Sequence, residues 1–202
     1  MDDSGIGLVL DYWLGDSHES PSKCEEMSDL WYGGTPENDQ EVVEKFGEIF
    51  ERACSDALSS WAESADGALA LVIVLDQFSR QIHRRTALAF SQDLMARAVA
   101  VRSVSLKFDH ELSVPGRLFL YHPFQHSEFI EDQELGVSLT KHLLEECDPG
   151  WNDYVENSLK YFEDHRDIIS RFGRFPHRNR VLERDSTEGE LEFLVSSSSY
   201  GQ

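Results

Sequence analysis

The chain has 202 residues, with 38 Asp and Glu against 18 Lys and Arg, and so a net charge of −20. At 40% hydrophobic and 11% aromatic it is too apolar to be wholly disordered, and its length suits one domain. The longest apolar run, Ala68–Leu75, is far short of the roughly 20 residues a membrane span needs.

Helical spacing begins at once. Ile6, Val9, Leu10, Trp13 and Leu14 mark a helix over Gly5–Leu14. Pro21, Gly33-Gly34 and Pro36 predict loop through residues 15–38, although Leu30-Trp31-Tyr32 must pack somewhere. Val42, Phe46, Ile49, Phe50, Ala53, Ala57 and Trp61 predict one long amphipathic helix from Asp39 to about Ser64. Asp66-Gly67 opens an apolar, central helix over Ala68–Arg84, and Thr86 is placed to cap another reaching Leu106. A short helix is expected over Gly116–Tyr121, and Pro123 is expected to start the next, which continues to Cys147. Asn152 or Asp153 begins a helix that Gly173 ends and Pro176 blocks. Thr187 and Glu190 have capping-box spacing ahead of Leu191, Phe193 and Leu194. The expectation is an all-α domain over residues 1–195, of seven or eight helices in antiparallel pairs, with a disordered tail at 196–202.

Charge is distributed unevenly along this frame. Residues 1–79 carry 3 basic against 18 acidic side chains, residues 80–120 carry 7 against 3, and residues 121–164 carry 2 against 11. Six arginines then crowd into 166–184. An acidic protein repels polyanions, so duplex nucleic acid is not expected as a partner, whereas a local arginine pocket can hold a small anion. Cys24, Cys54 and Cys147 are odd in number and share no metal-ligand spacing, and the acidic start Met1-Asp2-Asp3 is unlike a signal peptide. Both point to a cytoplasmic protein.

Three segments carry more polar groups than a core accepts. In Leu75-Asp76-Gln77-Phe78-Ser79-Arg80, Asp76 and Arg80 stand at i, i+4 on an apolar helix, as an internal ion pair or as part of a site. In Tyr121–Glu128, His122 and His126 have the same spacing, which suits a shared metal, but Pro123 was expected to hold His122 at the edge of its helix, and no metal is assigned. In His165–Asn179, Arg171 and Arg174 alternate with Phe172 and Phe175, ready to clamp a carboxylate or phosphate or to pair with Asp76, Glu128 or Asp132.

Five stretches carry a family resemblance: Val9-Leu10-Asp11-Tyr12-Trp13-Leu14-Gly15, Leu75–Arg80, Pro123-Phe124-Gln125-His126-Ser127-Glu128, His165-Arg166-Asp167-Ile168-Ile169 and Arg171-Phe172-Gly173-Arg174-Phe175-Pro176-His177-Arg178-Asn179. With Ser186-Thr187 they resemble the domain of unknown function 924 family, a largely bacterial group. The resemblance implies an all-helical, tetratricopeptide-like fold and no reaction. Ser79 stands where the family usually has proline, and Glu183 where it often has glycine.

The expected function is binding of a small anionic metabolite or an acidic peptide group in a pocket of Asp76, Arg80, His126, Glu128, His165, Arg171, Arg174, His177 and Asn179, with no cofactor. A hydrolase or phosphoryl-transfer enzyme is the alternative, with His126 or His165 as general base; it lacks a recognisable nucleophile. In a third reading the protein is an interaction scaffold, with a protein partner and a purely structural polar block.

Overall fold

Sequence periodicity and capping account for most of the helices in the computed structural model, which describes residues 4–196. The first helix, α1 (Ser4–Leu14), buries Val9 and Trp13, one turn apart. The stretch expected to be loop instead holds two short helices, α2 (Pro21–Glu26) and α3 (Ser28–Tyr32). They bring Cys24 and Trp31 into the core, where the Trp31 indole donates to the Trp13 carbonyl over 2.7 Å.

Helix α4 (Pro36–Cys54) starts where Thr35 Oγ1 accepts from the Asn38 N–H and Pro36 sets the first turn. It buries Val42, Phe46, Phe50 and Ala53 and turns an acidic face outward. It stops ten residues short of the expected end, because Asp56 adopts a left-handed φ of 61° and the chain re-enters as a 3-10 turn at Ser59–Glu63. Ser64 Oγ then accepts from Gly67 N–H and caps α5 (Ala65–Val72). The helix does not end there. It widens into a π turn at Ile73–Phe78 and tightens again as α6 (Ser79–Ile82), and nearly every residue from Ala65 to Gln81 is buried.

Helix α7 (Asp93–Ser105) is shorter than expected. Thr86 caps nothing; its hydroxyl donates back to His83 O, and a separate 3-10 turn, Ala87–Phe90, precedes the helix. Helix α8 (Val114–His126) corrects the expected break at Pro123, which lies inside it. Proline removes one helical hydrogen bond, but here it stands within the last turn, and the helix ends three residues later at His126, with Ser127 N–H on Phe124 O. A new helix, α9 (Ile130–Glu146), follows after three residues, and α10 (Asn152–Phe172) ends as expected at Gly173, with φ of 68°.

Helices α8, α9 and α10 pack side by side, joined by short connections. At Gly136 on α9 a side chain would meet Phe162 of α10 at 3.0 Å and Phe124 of α8 at 3.2 Å, so the close approach needs glycine. The last helix, α11 (Glu188–Ser196), opens with the expected capping box: Thr187 N–H donates to Glu190 Oε2 over 2.7 Å and Glu190 N–H to Thr187 Oγ1 over 3.3 Å. The described residues contain no strand, and no described helix is long and apolar enough to cross a membrane. Of the tail expected at 196–202, Ser196 is the last residue of α11 rather than tail, and residues 197–202 lie outside the described residues.

Candidate functional site

The π turn places the central group. Its extra residue rotates Asp76 and Gln77 inward from an otherwise apolar helix, and such turns are frequent at functional sites. Asp76 is fully buried and every bond it makes is charged or directed. Arg80 Nη1 lies 3.0 Å from its Oδ1 and donates to its backbone oxygen over 2.6 Å. Gln77 Nε2 donates to Oδ2 over 2.6 Å, and His126 Nδ1 stands 2.9 Å from both carboxylate oxygens. With a carboxylate facing Nδ1, the ring proton stays there and Nε2 keeps its lone pair.

A second carboxylate repeats the theme. Asp93, at the start of α7, takes an ion pair from Arg80 Nη2 at 3.0 Å and from Arg178 Nη1 at 3.3 Å. Arg178 also donates to the His126 carbonyl over 3.0 Å and lies between the rings of Phe90 and Phe175, 4.4 and 4.5 Å from their centroids. Burial pulls the Arg178 guanidinium down to about 10, with Asp93 acting against that, so it is charged at neutral pH. Burial opposes the charge on Arg80 too, but Asp76 and Asp93 outweigh it and raise its affinity for the proton. Two buried cations thus face one fully buried carboxylate, Asp76, and one partly buried one, Asp93, the arrangement that makes such burial tolerable.

Gln77, Arg80, His126 and Arg178 line a cavity of about 620 Å³, within the range of small-molecule sites. Its lining is part aromatic, with Trp13, Trp31, Tyr154 and Phe162, and part polar, with Gln77, Arg80, Gln125, Arg178 and four histidines. Those four are His122, His126, His165 and His177. Burial drives His122 and His177 down to about 3 and His165 to about 4, and places His126 well below its usual value, with Arg80 and Arg178 adding repulsion. All four are neutral imidazoles at pH 7. His165 Nδ1 donates to Tyr161 O over 2.7 Å, which directs its other nitrogen away from its own helix.

Of the residues expected from sequence, Arg80, His126, His165 and His177 line this cavity, and Asp76 stands directly behind His126. Four others are placed elsewhere. Glu128 accepts from Arg184 at 2.8 and 3.0 Å and from Phe175 N–H at 2.8 Å. Arg174 is held by Glu190 at 2.6 and 2.8 Å, Asn179 donates to Ser186 Oγ, and Arg171 is exposed against Phe172. Glu128, Arg174 and Asn179 fasten the segment after α10, the strap that carries His177 and Arg178 into the cavity wall. The expected pairings of Arg171 or Arg174 with Asp76, Glu128 or Asp132 do not form; Asp132 takes Arg97 at 2.5 and 2.7 Å.

Asp93, Gln77, Arg178 and the aromatic wall were not singled out. Asp93 looks like any acidic residue at a helix start. Arg178 had a signal, since it belongs to the arginine-rich block. His122 faces the cavity because Pro123 does not break the helix, and its ring centroid lies 5.5 Å from that of His126. Among the described residues, no group of three or more His, Cys, Asp or Glu could hold a metal ion.

Fold and cavity together define an all-helical protein with a charge-balanced polar chamber at its centre. The profile of the bacterial proteins of unknown function grouped as domain of unknown function 924 matches residues 9–198, and the chain belongs to that family. A protein of unknown function from Agrobacterium tumefaciens has a similar solved structure: TM-score 0.81 and 31% identity, over 97% of this chain and 100% of that one. No curated protein matches.

Proposed function

We propose that the protein binds a small molecule with one acidic group and an aromatic or apolar body. The observation that carries this reading is the cavity of about 620 Å³ whose lining combines buried Arg80 and Arg178 with Trp13, Trp31, Tyr154 and Phe162. Because Asp76 and Asp93 already balance the two guanidiniums, the chamber is dipolar rather than strongly cationic. That favours a single carboxylate over a polyphosphate, and a whole small ligand over the end of an acidic peptide. Cys24, Cys54 and Cys147 are unpaired, which suits a reducing, cytoplasmic setting.

A thermal-shift panel of aromatic monocarboxylates, inorganic phosphate and aliphatic diacids tests it. At 100 times its dissociation constant a ligand stabilises by about 2.7 kcal/mol, which for a chain of this size is a rise of roughly 5–10 °C. The rise is expected for aromatic monocarboxylates and lost in Arg178→Met. A panel without any shift refutes the reading.

A further inference from the structure

Resting on that reading, we propose that the cavity is also hydrolytic: it cleaves carboxylic esters whose acid or alcohol portion carries the anionic group, with His126 as general base and Asp76 as its positioning residue. Three features lead there. His126 Nδ1 is engaged by both oxygens of a fully buried carboxylate at 2.9 Å, so the ring is fixed in one tautomer and orientation. His126 also lines the cavity, so its basic Nε2 is the nitrogen available to the contents of the chamber. Finally, Asp76 is itself oriented by Gln77 and Arg80 on a π turn. A carboxylate that only braced two helices would not need an imidazole that lines a cavity on its far side.

The chemistry balances without any further reactant. As the oxygen of a water attacks the ester carbon, His126 Nε2 takes one of its protons and the carbonyl electrons move onto oxygen. Arg178, a cavity-lining cation that already donates to Asp93 and to the His126 carbonyl, supplies positive charge near the developing oxyanion. Collapse of the tetrahedral intermediate expels the alkoxide, which recovers the proton from His126 Nε2, so ester and water become acid and alcohol. Asp76 stabilises the imidazolium that forms in between. The groups facing His126 are Asp76 and Arg80 from the π turn and α6, His122 from its own helix, His165 from α10, and His177 and Arg178 from the strap. Burial first, and then Arg80 and Arg178, keep the ring neutral. The negative charge of a bound substrate offsets Arg80 and Arg178 and makes the ring more basic, as a general base requires.

The test uses the full chain and the probe 4-nitrophenyl hydrogen succinate, with 4-nitrophenyl acetate as its uncharged counterpart. Saturable hydrolysis of the charged ester is expected, with the acetate slower. His126→Asn keeps an amide near the position of Nδ1 but lacks Nε2; it is expected to lower kcat by about 10²–10⁴-fold with little change in KM. In the wild-type protein, diethyl pyrocarbonate is expected to abolish turnover in step with modification of His126, read by mass spectrometry, so the outcome does not depend on the variant folding. Asp76→Asn is expected to shift the acid limb of the pH–kcat profile, which a merely structural role would leave in place. Equal rates for wild type and a folded His126→Asn, or turnover that survives modification of His126, overturn the hydrolytic role. If the aromatic monocarboxylates then still raise the melting temperature, binding stands without catalysis; if they do not, both readings fall.

Discussion

Single residues carry measurable strain and bracing. Glu183 lies in the left-handed region, with φ of 53°. A side chain in the left-handed region is strained by about 1–2 kcal/mol, while glycine gives back part of that through its freer unfolded state. Glu183 is exposed, so Glu183→Gly is expected to stabilise by about 0.5–1 kcal/mol, read as a higher urea midpoint with an unchanged slope. Ser79 is fully buried and reaches the carbonyls of Leu88 and Ala89 at 3.4 and 3.3 Å. It thereby ties the helix bearing Arg80 to the turn bearing Phe90. Residue identity also made half of the site visible in advance. Charged side chains at Asp76 and Arg80, and histidines at 126, 165 and 177, stand out in apolar surroundings, whereas the partners contributed by Trp13, Trp31 and Phe162 look like ordinary core and become walls only when the helices are assembled.

At the scale of elements, capping and close packing give separate expectations. The Thr187–Glu190 box supplies two of the four otherwise unpaired N–H groups at the start of α11. Thr187→Ala is expected to cost about 1 kcal/mol and to speed hydrogen exchange first in residues 188–194. Gly136→Ala forces a methyl against Phe162 and Phe124 and is expected to cost about 1–3 kcal/mol, measured by chemical unfolding. Element existence was well predicted by periodicity, and element ends less so. The long helix expected through Ser64 stopped at Cys54 because one aspartate turned left-handed, which apolar spacing does not register. Pro123 misled for a related reason. A proline in a final turn and a proline in a first turn leave the same mark in sequence, and only the position of the following glutamine and histidine in space distinguishes them.

Whole-molecule behaviour follows from keeping four imidazoles neutral inside an acidic shell. His122 and His177 are held at about 3 and His165 at about 4 in the folded chain, against about 6.5 when unfolded. Below pH 6.5 the unfolded chain therefore binds protons that the folded chain refuses, and stability falls as pH drops toward those folded values. Each histidine contributes up to about 1.4 kcal/mol per pH unit across that window. Glu190, bonded to Arg174 and drawn down to about 2, adds a loss of the same direction at lower pH: its contribution is complete above about 4.5 and gone below its folded value. Urea midpoints are expected to be level from pH 8 to 7 and to decline steeply from about 6.5 to 5. A level profile across that lower range contradicts the buried, neutral state of these rings.

Two of the chamber's wall residues, His177 and Arg178, reside in the strap that follows α10, and that strap is fastened by Arg174 and Arg184 to Glu190 and Glu128. Everything else that lines the chamber is encoded before Phe172. Synthesis runs from the N-terminus, and folding tends to follow it, so the growing polypeptide would hold a chamber without these two wall residues until the strap was added. Ribosome-bound chains halted near Phe172 are accordingly expected to be helical yet weaker in holding the acidic ligand proposed above, because two of the residues that would face it have not yet been made.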